Sequence, residues 1–140
     1  MSVIRKQDIQ KGKKAWEKWL NEAEVQHIFQ APFELRIQYN PILDKQTWAM
    51  AVRYTLHYME IQHSGEGVEL RVAPWGAIKI LEGPASDPHN LTPPDVIELT
   101  PSVWLRLASG ITTWNEEEKS GHISAVGDRD NLSAYIPIRH

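Results

Sequence analysis

Two stretches of the chain repeat their apolar side chains at the spacing of an amphipathic α-helix. Residues 8–24 keep their apolar positions on one face, and a second stretch begins after Asp44, a residue typical of the helix N-cap. In the second stretch the apolar positions recur at intervals of four and three residues as far as about residue 62. The predicted apolar faces carry Ile9, Trp16, Leu20 and Ala23 in the first helix and Trp48, Val52, Leu56 and Met59 in the second.

Alternation of apolar and polar residues predicts five β-strands. Residues 33–39 alternate in this way, and so do residues 68–72 and 78–80, with the short connection 73–76 between them. That short link contains Pro and Gly and is typical of an antiparallel hairpin. The two remaining strands are predicted at residues 95–100 and 123–126.

Capping residues mark two short helices in the C-terminal half. Thr100 followed by Pro101 is typical of a helix start, and Gly110 is typical of a helix end. Thr113 and Glu116 have the spacing of a capping box, which predicts another short helix that ends by residue 121. Beyond the last strand, we expect an apolar segment to dock on the domain through Leu132, Tyr135, Ile136 and Ile138.

The order of these elements predicts an α+β fold, with five strands, about four helices and no internal repeat. We expect a single domain of residues 1–140, in which residues 1–43 add a helix and an edge strand to a core of residues 44–140. Residues 84–94 contain four prolines and predict an irregular surface loop. This loop is long enough to cover a binding site, but an ordered connection with no role in binding is the alternative.

The composition narrows the class of protein. The 140 residues include no cysteine, which excludes disulfides, thiol catalysis and zinc-thiolate sites. The net charge of −3 predicts no binding to nucleic acid, and no run of about 18 apolar residues is present for membrane insertion. The N-terminus leads into charged residues without the apolar core of an export signal, so we expect a cytoplasmic protein.

Residues able to support catalysis or metal binding do not form a known motif. Glu60 and His63 have the spacing of half a di-iron site without a second copy, and residues 65–67 lack the third glycine of a dinucleotide fingerprint. Residues 116–118 are three consecutive glutamates, interpreted as the solvated face of a short helix. We expect no catalytic residue, metal or cofactor. An enzyme would need a buried histidine or carboxylate in a polar cleft, and the histidines to test are His57, His63, His89 and His122.

Six tryptophans in 140 residues are the unusual feature of the composition. Large amphipathic rings either fill a core or line an apolar cavity, and the periodicity does not separate these two uses. An apolar ligand between sheet and helices is therefore one interpretation, and a filled core is the other.

The C-terminal half has a characteristic order: a strand at 95–100, a Pro-led helix that closes at Gly110, a short acidic helix, and a strand between Gly121 and Gly127. This order resembles a sterol carrier protein type-two-like domain over about residues 45–138. The hairpin at 68–84 resembles that of the shorter actinobacterial members of the family. The positions that correspond to the family pattern are Leu105, Leu107, Gly110, Glu116, Gly121, Ile123, Val126, Gly127 and Leu132.

This resemblance implies a five-stranded, mostly antiparallel sheet covered by helices, with an apolar cavity that accommodates sterols, fatty acids or acyl-coenzyme A in relatives. It implies no shared catalytic group. We therefore expect the partner to be an apolar small molecule such as a lipid. Residues 1–43 have no matched counterpart in the family, and the loop at 84–94 is long for it, so either segment could plug or cover the cavity.

From these observations we predict that the protein binds or transfers a lipid without catalysing a reaction. The alternative is a protein-interaction or homodimerisation module with a filled core, including an accessory relative of the carrier-like domain in mycothiol-dependent isomerases. Trp48 and Trp75 are the predicted gates of the cavity. The predicted cavity walls are Val68, Leu70, Val72, Ile78, Ile80, Ile97, Leu99, Trp104, Leu107, Ile123 and Ile136.

Overall fold

The computed structural model describes residues 2–83, 95–127 and 131–138. The predicted loop at 84–94 therefore lies outside the described residues. The helices are α1 (Ile9–Val25), α2 (Phe33–Arg36), α3 (Lys45–Gln62), α4 (Pro101–Ser109) and α5 (Trp114–Lys119). Short 3-10 helices occupy Lys6–Asp8, Ile28–Gln30 and Ser133–Tyr135.

The predicted caps fix the starts of three of these helices. Asp44 accepts a hydrogen bond from the Thr47 backbone N–H at 2.7 Å, directly before α3. Thr100 caps α4, and Thr113 forms a complete capping box with Glu116 at the start of α5. Because each cap satisfies backbone donors that the first helical turn leaves free, these boundaries follow from local sequence. The four helices predicted from periodicity and caps are confirmed.

The sheet has four strands and is mixed, which corrects the prediction of five mostly antiparallel strands. Its strands are β1 (Ser64–Val72), β2 (Gly76–Ile80), β3 (Asp95–Glu98) and β4 (Ser124–Val126), in the order β2-β1-β3-β4. The predicted hairpin is confirmed, since β1 and β2 pair antiparallel. However, β3 pairs parallel to the other side of β1, and β4 pairs antiparallel to β3.

The strand predicted at residues 33–39 is wrong. The segment starts with α2, a single helical turn that follows Pro32 and contains the good helix formers Glu, Leu and Arg. Alternation would have placed Phe33 and Leu35 in the core, but they are 39% and 59% exposed. Arg36 instead holds the segment, because its guanidinium binds the Ile111 carbonyl at 3.0 Å and both carboxylate oxygens of Glu116.

Two glycines allow the start of β1 to approach the end of β2. A Cβ atom at Gly65 would lie 2.0 Å from the Leu81 carbonyl oxygen, and one at Gly67 would lie 2.9 Å from that of Glu82. The pairing with β2 shifts register between Ser64 and Val68, which is the signature of a bulge. Close backbone packing therefore accounts for the Gly-x-Gly motif at residues 65–67.

One hydrophobic cluster connects the whole described chain, with buried members from Ile4 to Ile138. Helix α3 lies at its centre and contacts α1, α4, β1 and β2. Its Thr55 hydroxyl accepts a hydrogen bond from the Trp104 indole at 2.8 Å, so this buried ring has a polar partner. The C-terminal segment docks as predicted, since Leu132 and Ile138 are buried.

Candidate functional site

Most of the predicted cavity walls lie in the packed core. These residues are buried, and their contact with a ligand stays a prediction. Ile123 and Ile136 are partly buried at the edge of the core, as are the predicted gates Trp48 and Trp75. The buried predicted walls are Val68, Leu70, Val72, Ile78, Ile80, Ile97, Leu99, Trp104 and Leu107.

Trp48 and Trp75 lie in the same cleft, which we call the aromatic cleft. It has a volume of about 460 Å³ and an open mouth. Three parts of the fold meet there: the start of α3 with the segment before it, the β1–β2 turn, and the first residues of α4. The lining residues are Asn40, Leu43, Lys45, Trp48, Pro74, Trp75, Pro101 and Ser102.

Hydrogen bonds fix the backbone at both tryptophans of the aromatic cleft. The Trp48 backbone N–H donates to the Asp44 carbonyl at 3.1 Å, in the capped first turn of α3. The Trp75 N–H donates to the Val72 carbonyl at 3.0 Å, and the Trp75 carbonyl accepts from the Arg53 side chain at 3.0 Å. Lys45 is the charged residue among those that line this cleft. The arrangement can therefore hold an apolar chain beside one cation.

A second cleft, of about 420 Å³, lies beyond the carboxyl ends of the parallel strands β1 and β3. Two predicted wall residues, Leu99 and Ile123, line it together with polar side chains. One of these is His122, whose Nδ1 lies 2.7 Å from the Glu117 carboxylate and whose side chain is 38% exposed. Because an ionised carboxylate only accepts hydrogen bonds, the His122 Nδ1–H donates the hydrogen bond to Glu117.

Glu117 is completely buried, which corrects the interpretation of residues 116–118 as a solvated face. Its carboxylate accepts hydrogen bonds from Arg106 Nε at 2.7 Å and Nη2 at 3.0 Å, and from Thr112 Oγ1 at 2.6 Å. His122 provides the fourth bond. Arg106 also donates through Nη1 to the Tyr39 carbonyl at 3.0 Å, so the pair fastens the N-terminal segment to α4 and α5.

The surroundings of Glu117 keep it ionised. Burial alone raises the pKa of this carboxyl, but the hydrogen bonds from Arg106, Thr112 and His122 outweigh that effect and hold the pKa below its ordinary value. One signal in the sequence pointed to this pair. Arg106 is a charged residue within the otherwise apolar run of residues 103–108, where a buried cation needs a partner.

Comparison with protein-family models identifies the family. The family model described as "Bacterial SCP ortholog", where SCP stands for sterol carrier protein, matches residues 44–138. The chain belongs to this family. The match to the sterol carrier family begins at the N-cap of α3, so α1, α2 and the residues between them lie outside it. A comparison with curated proteins finds no match.

Two further findings concern the described part of the chain. No helix in residues 2–83, 95–127 or 131–138 is long and apolar enough to cross a membrane. Within the same residues, no three His, Cys, Asp or Glu side chains come together as a set that could hold a metal ion.

Proposed function

We propose that the protein binds an amphipathic lipid, such as a fatty acid, with its apolar chain in the aromatic cleft and without a chemical step. Membership of the sterol carrier family supports an apolar ligand. The observation that carries the location is the convergence of Trp48 and Trp75 on one open cleft. Tryptophan combines a large apolar surface with a polar edge, which suits a site at the boundary with water.

The size and charge of the aromatic cleft fit such a ligand. Its volume of about 460 Å³ falls in the range of roughly 300–1,000 Å³ that is usual for small-molecule sites. Each buried methylene contributes about 0.8 kcal/mol before the ordering costs of binding are subtracted. Lys45 offers an ammonium partner for a carboxylate at the mouth.

The packing of the core favours the aromatic cleft over a site between the sheet and the helices. Leu70, Ile80 and Trp104 are completely buried in the hydrophobic cluster. A ligand there would have to displace side chains that fill the interior at close to crystalline density. The aromatic cleft accepts an alkyl chain without that disruption.

Calorimetric titration with dodecanoate below its micellar concentration tests the proposal. We expect 1:1 binding to the unmodified protein and about tenfold weaker binding to Trp48→Ala and Trp75→Ala, since each removes a large apolar contact surface. Phe33→Ala is the matched control, because Phe33 is an exposed aromatic residue that does not line the cleft. Absence of binding, or unchanged affinity in both tryptophan variants that still fold, would overturn the proposal.

A further inference from the structure

Next to the aromatic cleft lies another cleft, of about 540 Å³, which we call the basic cleft. It is formed by the segment before α1, by α1 and by α3, and Trp75 separates it from the aromatic cleft because that residue lines both. The lining residues are Ser2, Val3, Ile4, Arg5, Asp8, Lys11, Gln46, Met50, Arg53 and Trp75. Six of them precede residue 44, so the matched family region alone does not form this cleft.

Three cations and one carboxylate line the basic cleft. Asp8 pairs with Arg5 at 2.7 Å. The hydrogen bond from Arg5 lowers the pKa of Asp8, and the positive charges of Lys11 and Arg53 lower it further. All three cations line the same cleft as this carboxyl. The side chains that line the basic cleft therefore carry a net charge of +2.

Arg53 is held in position but is not neutralised. Its Nε donates to the Trp75 carbonyl at 3.0 Å, which fixes the guanidinium plane on the cleft wall. Among the described residues, neither the terminal nitrogens of Arg53 nor the ammonium of Lys11 has a hydrogen-bond or ion-pair partner. An oriented guanidinium with two free nitrogens matches the oxygens of a phosphate group in a bidentate arrangement.

The charge of the whole chain is opposite in sign to that of this region. Residues 1–20 contain six Lys or Arg and two Asp or Glu, a net charge of +4, whereas the complete chain carries −3. The positive charge is therefore concentrated in residues 1–20. A local field of this kind attracts anions to the cleft and weakens as salt is added.

We propose that the basic cleft binds the phosphate group of a phosphate monoester or a diphosphate. Arg53 donates two hydrogen bonds to the phosphate oxygens, and Lys11 and Arg5 supply the remaining charge. A phosphate monoester carries about −1.5 to −2 near neutral pH, which balances the cleft's excess charge. This anion site does not depend on the lipid site. A single ligand that occupies both clefts, with its phosphate in the basic cleft and its alkyl chain in the aromatic cleft, does rest on the proposed function.

Calorimetric titration with pyrophosphate at low ionic strength tests the anion site without any lipid. We expect binding that weakens with added salt and becomes about tenfold weaker in Arg53→Gln, the loss usual for a charge-assisted hydrogen bond. Lys11→Gln should also weaken it, and it provides a second test if Arg53→Gln fails to fold. Lys13→Gln is the matched control, because it removes the same charge from α1 at a position that does not line the cleft.

Three results would overturn the proposal: no pyrophosphate binding to the unmodified protein, unchanged binding in both Arg53→Gln and Lys11→Gln, or an equal loss in Lys13→Gln. Dodecyl phosphate then distinguishes the sources of the phosphate. If it binds more tightly than pyrophosphate and Trp48→Ala removes the gain, the ligand is an alkyl phosphate that spans both clefts. If dodecyl phosphate binds no more tightly than pyrophosphate, the site takes a water-soluble phosphate. This second result is compatible with either outcome of the dodecanoate titration.

Discussion

Glu117 and Arg106 form a charged pair inside the protein, with side chains 0% and 4% exposed. Such a pair is tolerated in an interior because each charge has several hydrogen-bond partners. Glu117 accepts four hydrogen bonds, and Arg106 uses its third donor group for the Tyr39 carbonyl. At the scale of single residues, this pair connects the matched family region to residues 1–43 through the bond from Arg106 to the Tyr39 carbonyl.

Removal of Arg106 should therefore be costly. We expect Arg106→Met to lower the free energy of unfolding by about 3–5 kcal/mol, because the Glu117 carboxylate loses two bonds and stays buried. Urea unfolding measures this loss. Arg71→Met is the matched control: Arg71 also pairs with glutamates but is 47% exposed, so its removal should cost less than about 1 kcal/mol. Equal losses in the two variants would show that the buried pair contributes no more to the free energy of unfolding than the exposed one.

Helices α1 and α3 approach each other closely at Gly12. A Cβ atom there would lie 2.8 Å from the Tyr54 Cβ, 2.9 Å from the Ile4 Cδ1 and 3.3 Å from the Met50 carbonyl oxygen. Tyr54 and Met50 belong to α3, so the absence of a side chain at residue 12 sets the separation of the two helices. Lys11 of α1 and Arg53 of α3 both line the basic cleft, so this contact between the two helices also affects their separation.

The substitution Gly12→Ala has two opposite effects on stability. Helix propensity alone would stabilise α1 by up to about 1 kcal/mol, whereas overpacking against α3 costs about 1–3 kcal/mol. We expect overpacking to dominate and the midpoint of urea unfolding to fall. The exposed Gln10→Ala in the same helix should change stability by less than about 0.5 kcal/mol. A rise in the midpoint for Gly12→Ala would mean that the helices do not pack as described.

The elements that could be predicted from sequence are those whose signals are local. The starts of α3, α4 and α5 follow from Asp44, Thr100 and Thr113, because a cap acts within one helical turn. The segment at 33–39 was predicted wrongly, because its alternation is overridden by the contacts of Arg36 with α5 and the preceding turn. The parallel pairing of β1 with β3 joins strands distant in sequence, which hydrophobic periodicity does not encode.

At the scale of the whole molecule, residues 1–43 and the matched family region share one core. Trp19 of α1 packs edge-on against Tyr39 with ring centroids 5.3 Å apart, and both belong to the same hydrophobic cluster as the sheet. The sequence predicted Trp48 and Trp75 as gates of a cavity, and in the structure both residues line the aromatic cleft. The basic cleft could not be predicted in this way, because its cations come from three elements that only tertiary packing brings together.

An apolar ligand at the aromatic cleft and one inside the core would contact different tryptophans, so the six indoles report on these two locations separately. Trp48 and Trp75 line the cleft, whereas Trp16, Trp19, Trp104 and Trp114 are buried in the core. The most direct measurement is a titration of ¹⁵N-labelled protein with dodecanoate, with the six indole N–H signals assigned by single Trp→Phe variants.

We expect saturable shifts of the Trp48 and Trp75 indole signals, with those of the four buried tryptophans nearly unchanged. That result would place the ligand in the aromatic cleft. Dominant shifts at Trp104, whose indole donates to Thr55 in the middle of the core, would instead place the ligand between sheet and helices and contradict the account. No shift at any of the six indoles would contradict it as well.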